Sequence, residues 1–264
     1  MPDIEGEWRS RLLGTNPALR AGRNLFRRLP APPRCDLCAA PFAGPIGRAL
    51  RPFGKAPWPK NPRYCVGCCA VLLKHRGGAE VPLSMLFADV RGSTPLGERI
   101  GPRAVHDVMD RFYNAGIDEL FRYGAIVDRF MGDQVVGYFT PGFAGHRHAR
   151  QAILAGLGIL RATGHDRHEP WIPVGVGVNT GVAFVGAVGK DEDIAELTAL
   201  GEDVNVAARL ASVAAAGELV VSEAAFDASA LEAVSERRTV ELRGVSAPVA
   251  VRVLRVNALA AAPA

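Results

Sequence analysis

Met85-Leu86-Phe87-Ala88-Asp89-Val90-Arg91-Gly92-Ser93-Thr94 is a short apolar run that ends in a carboxylate and a glycine turn. It reads as a buried strand that delivers Asp89 to its end. Gly92, Ser93 and Thr94 follow with backbone N–H groups that can face a phosphate, and an acid beside them suits Mg²⁺ and triphosphate chemistry. The same residues also fit an ordinary strand followed by a helix-capping Ser or Thr. The choice rests on what the rest of the chain supplies.

Working outward, Val81 to Val90 is expected to be a strand, and Pro102 to Tyr123 has helical spacing in Val105, Val108, Met109, Phe112, Ile117, Leu120 and Phe121. Strands over Ala125 to Met131 and Gln134 to Thr140 flank a tight Gly132-Asp133 turn. A helix from Gly145 to Thr163 and a strand from Pro173 to Thr180 complete a βαββαβ order, the pattern of a ferredoxin-like α+β core with helices on one face of an antiparallel sheet. A hairpin arm (Val182 to Val188, then Ile194 to Leu200), a helix from Asp203 to Ala214 and short strands around 218–221, 239–242 and 249–254 are expected to follow.

In that sheet Asp89 and Asp133 come side by side, and two converging carboxylates suit a pair of divalent ions acting on a phosphate. Two unrelated turn aspartates would look the same. A third element is Leu200-Gly201-Glu202-Asp203-Val204-Asn205-Val206-Ala207-Ala208-Arg209-Leu210. Here Asp203 can cap a helix, and Asn205 and Arg209 stand at i, i+4, so one face presents an amide and a guanidinium. These groups fit a phosphoryl transition state; a solvated polar pair is the plain alternative.

Phe87-Ala88-Asp89-Val90-Arg91-Gly92-Ser93-Thr94, Gly132-Asp133 and Gly201-x-x-Val204-Asn205-x-Ala207-x-Arg209 stand in order and at family-like spacing. In them the chain resembles the catalytic domain of class III nucleotidyl cyclases over about residues 81 to 256. The resemblance implies that Asp89 and Asp133 bind two Mg²⁺ or Mn²⁺ ions, that Asn205 orients the ribose and that Arg209 stabilises the α-phosphate. The nucleophile is then the substrate's own 3′-hydroxyl. It also implies a head-to-tail homodimer with active sites shared between protomers.

Adenylate cyclases of the family place a Lys three residues before the Gly-Asp and an Asp or Thr three before the later glycine; this chain has Arg129 and Thr198 there. Adenine needs one donor and one acceptor, which Arg129 and Thr198 can supply, so ATP is the expected substrate. The planar guanidinium also matches guanine O6 and N7, which keeps GTP open, as does a domain that binds nucleotide without turnover. Near the C-terminus Arg243 precedes Gly244 where cyclases often hold a triphosphate-binding Lys. Arg can hold phosphate bidentately, or serve there as a surface charge.

The N-terminal part is of another kind. Cys35-Asp36-Leu37-Cys38 and Cys65-Val66-Gly67-Cys68 are the paired spacing by which two knuckles deliver four thiolates to a structural Zn²⁺, with an iron–sulfur site as the rival and Cys69 left over. The glycines and prolines between them preclude long regular elements, so a metal-stapled knob takes the place of a hydrophobic core. The expected organisation is a basic leader over 1–34, helical or partly disordered, the four-cysteine module and linker over 35–80, the catalytic domain over 81–256 and a flexible tail over 257–264.

Residues 1 to 80 carry 14 Lys+Arg against 5 Asp+Glu, and the remainder 17 against 22. The basic leader can therefore touch nucleic acid, anionic lipid or an acidic partner, or remain solvated. No apolar run approaches the ~20 residues of a membrane span and no signal-like segment opens the chain, so a cytoplasmic protein is expected.

Overall fold

A computed structural model describes residues 3–29, 33–59, 61–74, 77–128, 132–188, 196–244 and 247–259. It divides into two units: residues 1–81, 140–146 and 184–200 form the first, and residues 82–139, 147–183 and 201–264 the second.

In chain order the first unit opens with α1 (Ile4–Leu12) and α2 (Pro17–Phe26). Asp3 and Asn16 cap them by accepting from the N–H groups of Gly6 and Leu19. Trp8 and Leu12 are fully buried and anchor α1. Between the cysteine pairs lie α3 (Gly44–Leu50) and the antiparallel strand β1 (Pro57–Trp58) with β2 (Asn61–Cys65), after which α4 (Val66–Lys74) begins. Among the described residues no element between the pairs exceeds seven residues, as the spread of Gly and Pro requires.

The second unit carries most of the main sheet. Strand β3 (Gly78–Val90) starts three residues earlier than its hydrophobic pattern suggested, and is followed by α5 (Ser93–Ile100) and α6 (Pro102–Arg122). The strand expected over 125–131 is reduced to β4 (Ile126–Val127), and 129–131 lie outside the described residues. Then come β5 (Gln134–Phe139), the short α7 (Pro141–Ala144), α8 (His148–Ala162), β6 (Val174–Val188) and β7 (Glu196–Leu200). Of these, α7, β7, the far end of β6 and the first residues of β3 (78–81) belong to the first unit. The chain ends through α9 (Glu202–Val213), β8 (Leu219–Ser222), α10 (Glu223–Ser229), β9 (Glu236–Val240) and β10 (Val249–Leu254). The strand order is β4-β5-β3-β6-β8-β10-β9, with β7 paired to β6. The expected break at Thr180 is absent: β6 runs through Gly181, because Asp203 accepts from the Val182 N–H and the far half of the strand finds a partner in β7.

Helices cover both faces of this sheet. On one, α8 is buried almost all round, packed between α6, α10 and the strands; its Gly156 admits Leu219 and Val176. On the other, alternation turns Gly175 and Gly177 toward α9. A Cβ on Gly177 would lie 2.6 Å from the Ala207 carbonyl, and one on Gly175 2.6 Å from that of Ala214. The glycines thus let the helix backbone rest on the strand, over a core of Leu210, Ala214, Val220, Val251 and Val253.

Candidate functional site

Asp89 is opposite Gln134 in the β3–β5 ladder, and the Val90 N–H donates to the Asp133 carbonyl at 3.1 Å. Asp133 thus stands one register step from the partner of Asp89, at the neighbouring strand end beside the Gly132 turn (φ +65°), and its charge acts on Arg91, the residue that holds Asp89. Each carboxylate is oriented by its own partner. Arg91 donates through Nη2 to Asp89 Oδ2, and Ser93 Oγ donates to Asp133 Oδ2 at 2.5 Å. Asp89 Oδ1 is buried with no hydrogen-bond partner among the described residues. A buried carboxylate oxygen without a donor is costly unless a cation meets it. The donor set is all oxygen and fits a hard divalent ion such as Mg²⁺ or Mn²⁺.

Gly92 turns in the left-handed region (φ +67°) and starts α5, so Ser93 and Thr94 form its first turn rather than capping it. Two further groups attend this corner. Tyr113 on α6 donates its hydroxyl to the Gly132 carbonyl, and burial, then the Asp133 charge, pushes its pKa up. Arg91 also donates through Nη1 to the Ser212 carbonyl at 2.8 Å, tying the Asp89 corner to the C-terminal end of α9. No local pattern marks either residue, although both surround a motif that is plain in the sequence.

On α9, Val204, Ala207, Leu210 and Ala211 face inward, leaving Asn205 exposed and Arg209 half-buried. Asp203 does not cap the helix. Gly201 holds that position, and the Asp203 carboxylate accepts instead from Val182 N–H and Asn179 Nδ2 at 2.9 and 3.2 Å. The Arg209 guanidinium lies against the Arg243-Gly244 turn, where a Cβ on Gly244 would come 3.2 Å from Nη2. Arg209 therefore lies beside the turn that carries the exposed Arg243. Asn205 stands seven residues before Ser212, about 10 Å along the helix axis from the Arg91 anchor. Thr198 lies half-buried in β7 opposite Gly186; Arg129 lies outside the described residues.

In the first unit Cys35, Cys38, Cys65 and Cys68 are buried, with their sulfur atoms all within 4.8 Å of one another. The first pair forms a knuckle: the Cys35 carbonyl accepts from the Ala39 N–H at 2.7 Å and Ala39 adopts φ +60°, unusual for a residue with a side chain. The second pair sits at the start of α4, where the helix dipole favours thiolates. Cys65 N–H donates to Cys35 Sγ at 3.2 Å, and Lys55 Nζ lies 3.9 and 4.0 Å from the sulfurs of Cys38 and Cys65. Hydrogen bonding from Cys35 pulls the Cys38 and Cys65 thiols down, while Cys35 and Cys68 are pushed up. Four sulfurs this close need a shared cation before all can ionise. Cys69 is buried beside them, outside the set of four.

The mixed sheet, with the Asp89 and Asp133 strand ends at one side and the Asn205/Arg209 helix laid on its glycine face, makes an α+β domain. Residues 79–254 match the adenylate and guanylate cyclase catalytic domain, and the chain belongs to that family. The uncharacterized proteins Mb1352c of Mycobacterium bovis and Rv1318c of Mycobacterium tuberculosis are each 33% identical over 181 residues. That stretch is 66% of this chain and 32% of theirs, so the chain spans under a third of these curated relatives. Among solved structures, the guanylyl cyclase Cya2 aligns with a TM-score of 0.60 at 28% identity, covering 67% of this chain and 93% of that one. The adenylyl cyclase CyaB from P. aeruginosa aligns at 0.59 and 26%, covering 67% and 96%. Among the described residues no helix is long and apolar enough to cross a membrane.

Proposed function

We propose that this protein is an adenylate cyclase that converts ATP into 3′,5′-cyclic AMP and pyrophosphate as a head-to-tail homodimer. The observation that carries the reading is the placement of Asp89 and Asp133 at neighbouring strand ends, with Asp89 Oδ1 buried and without a partner among the described residues. Two Mg²⁺ or Mn²⁺ ions bound there would promote ionisation of the 3′-hydroxyl and neutralise charge on the triphosphate. The protein's own groups position and stabilise. Asn205 orients the ribose, Arg209 meets the charge growing on the α-phosphate, and the N–H groups of Gly92, Ser93 and Thr94 together with Arg243 hold the phosphates. Arg129 and Thr198 read the adenine edge as donor and acceptor. The 3′-oxygen then attacks the α-phosphorus, and pyrophosphate leaves, with no protein nucleophile.

Sharing of each site between protomers fits the separation of Asn205 from the Arg91 anchor within one chain. It also fits an apolar strip on the β6–β7 arm, where Phe184, Val188 and Leu200 are 40%, 46% and 58% exposed. Residues 81–256 form the catalytic part in this reading, and the four-cysteine module of 35–80 holds a structural Zn²⁺, the ion best matched to four thiolates. Free cysteines and an ATP substrate suit the cytoplasm.

The test is an assay of the purified full chain with Mn²⁺ and either ATP or GTP, with cyclic product and pyrophosphate quantified by chromatography. Cyclic AMP is expected to exceed cyclic GMP by about tenfold or more. Preference for GTP moves the reading to a guanylate cyclase, the activity named for Cya2. Product from neither nucleotide overturns the enzyme and favours a nucleotide-binding module without turnover.

A further inference from the structure

Gly77-Gly78 is a crowded junction in the first unit. A Cβ on Gly77 would lie 2.9 Å from Ile4 of α1 and 3.6 Å from the Trp8 indole nitrogen. One on Gly78 would lie 2.5 Å from the Val185 carbonyl and 2.6 Å from the Phe184 ring. The Gly77 carbonyl accepts from Ala187 N–H at 3.0 Å, and neighbouring Gly186 is the register partner of Thr198 on β7. Helix α1 and the β6–β7 arm therefore meet the chain at the same two residues.

The cysteine centre reaches that junction through a second set of close contacts. Tyr64, next to Cys65 and packed in the same buried cluster, meets Phe143 of α7 edge-on at 4.9 Å between ring centroids. Gly142 of α7 lies under the end of α1, where a Cβ would come 2.7 Å from the Leu12 carbonyl. Trp8 and Leu12 are buried on that same helix. At Gly142 backbone lies on the backbone of α1, at Gly78 on the Val185 carbonyl and the Phe184 ring, and at Gly77 the chain rests on Ile4 and the fully buried Trp8; close-packed contacts of this kind transmit shifts.

We infer that the four-cysteine centre is a control site for a soft divalent metal that acts on the β6–β7 arm and on Thr198. The two-state element is the module itself. With the metal it is a rigid block against which α1, α7 and the arm are set; without it, four crowded thiols lose their common counter-ion and the module loosens. Loss of metal then frays the arm before it affects the sheet of the second unit. The consequence for catalysis rests on the base-reading role proposed for Thr198.

Hydrogen–deuterium exchange on the full chain tests the coupling without any assay of activity. Comparison is between zinc-loaded protein, chelator-stripped protein and stripped protein given one equivalent of Zn²⁺. Exchange at Ala187 and across β7 is expected to quicken by about tenfold or more on stripping and to recover with Zn²⁺, while Val135, Val136, Val176 and Val178 hold steady. Arm protection that survives stripping makes the metal a local staple and overturns the proposal, and so does equal loss throughout both units. Phe143→Ala keeps all four cysteines and cuts the relay. It should retain zinc by elemental analysis yet show a fast arm, and a protected arm in this variant would also overturn the proposal. In the assay the same variant should raise KM for ATP by about tenfold. If the wild type makes no cyclic nucleotide, the cyclase reading fails while the exchange result still decides the coupling.

Discussion

Arg91 holds one oxygen of the Asp89 carboxylate, and the other, Oδ1, is buried with no partner among the described residues. The same guanidinium reaches the Ser212 carbonyl, so the acid is clamped against the end of α9. A site that tolerates an unmet buried oxygen gives up stability for ligand binding. Asp89→Asn is therefore expected to weaken Mn²⁺ binding by about 100-fold while leaving Tm within about 3 °C of wild type. Electron paramagnetic resonance titration with Mn²⁺ and a thermal melt measure the two. Unchanged Mn²⁺ affinity would sink the metal assignment.

Glycines under α9 give a second test. Gly177→Ala places a methyl group against the backbone of Ala207 and Ala211, with no flexible side chain to yield. Overpacking of this kind costs about 1–3 kcal/mol, or roughly 2–12 °C in Tm for a chain of this size. Gly97→Ala, whose nearest neighbour would be Val105 at 3.8 Å, should be neutral or slightly stabilising. Equal melts for the two variants would show that α9 is not seated as described.

The shared site predicts rescue between inactive partners. Asp89→Ala and Asn205→Ala proteins should each be inactive alone. Mixed in equal amounts and allowed to exchange subunits, they should recover about a quarter of wild-type activity, since about half the dimers are mixed and each has one intact site. Mixed dimers that form but remain inactive count against a site shared between protomers.

Glu218 provides a pH signature for the C-terminal strands. It accepts from both terminal nitrogens of Arg238 at 3.0 and 2.9 Å, from Arg255 at 2.7 Å and from Ala215 N–H. Burial pushes its carboxyl up, but the Arg238 hydrogen bonds, the Ala215 N–H and the two arginine charges outweigh that and hold it below its ordinary value. A carboxyl depressed on folding contributes stability above its unfolded value of about 4.3, and that contribution disappears as pH falls through the folded value. Glu218→Gln should cost about 1–3 kcal/mol at pH 7 in urea melts, with the gap from wild type narrowing well below pH 4. A gap that does not change with pH would refute this origin.

Metal content is the simplest measurement. Elemental analysis should find about one zinc per chain, and Cys68→Ser should lose most of it because a closed structural site needs all four ligands. Iron in place of zinc would favour the cluster alternative.

Much of the candidate site is legible in the sequence because its chemistry is carried by short local patterns. Asp89 ends an apolar run, Asp133 follows a turn glycine, Asn205 and Arg209 share a helical face, and the cysteines recur at knuckle spacing. Local rules of burial, turn geometry and helical period are enough to place each of them. Other features depend on partners far away in the chain. The length of β6 depends on β7 and Asp203; the second role of Arg91 depends on Ser212; Gly177 matters only because α9 lies over it. The alternating Val174-Gly175-Val176-Gly177-Val178 was the available signal for that close approach, although a strand pattern does not name the helix that fills its notches.

The sequence by itself determined the kinds of group the candidate site holds: two carboxylates at strand ends, an amide and a guanidinium on one helix, and four thiols in a separate basic segment. Tertiary structure decided which of them meet. It set Asp89 and Asp133 at neighbouring strand ends, Arg209 against the Arg243-Gly244 turn, and the cysteine cluster through Tyr64, Phe143, α1 and Gly77 beside the arm that carries Thr198. The physical reason is that a residue's type and local period fix what it can do and which face it takes, whereas the neighbour it meets across the fold is set by long-range packing that no local pattern encodes.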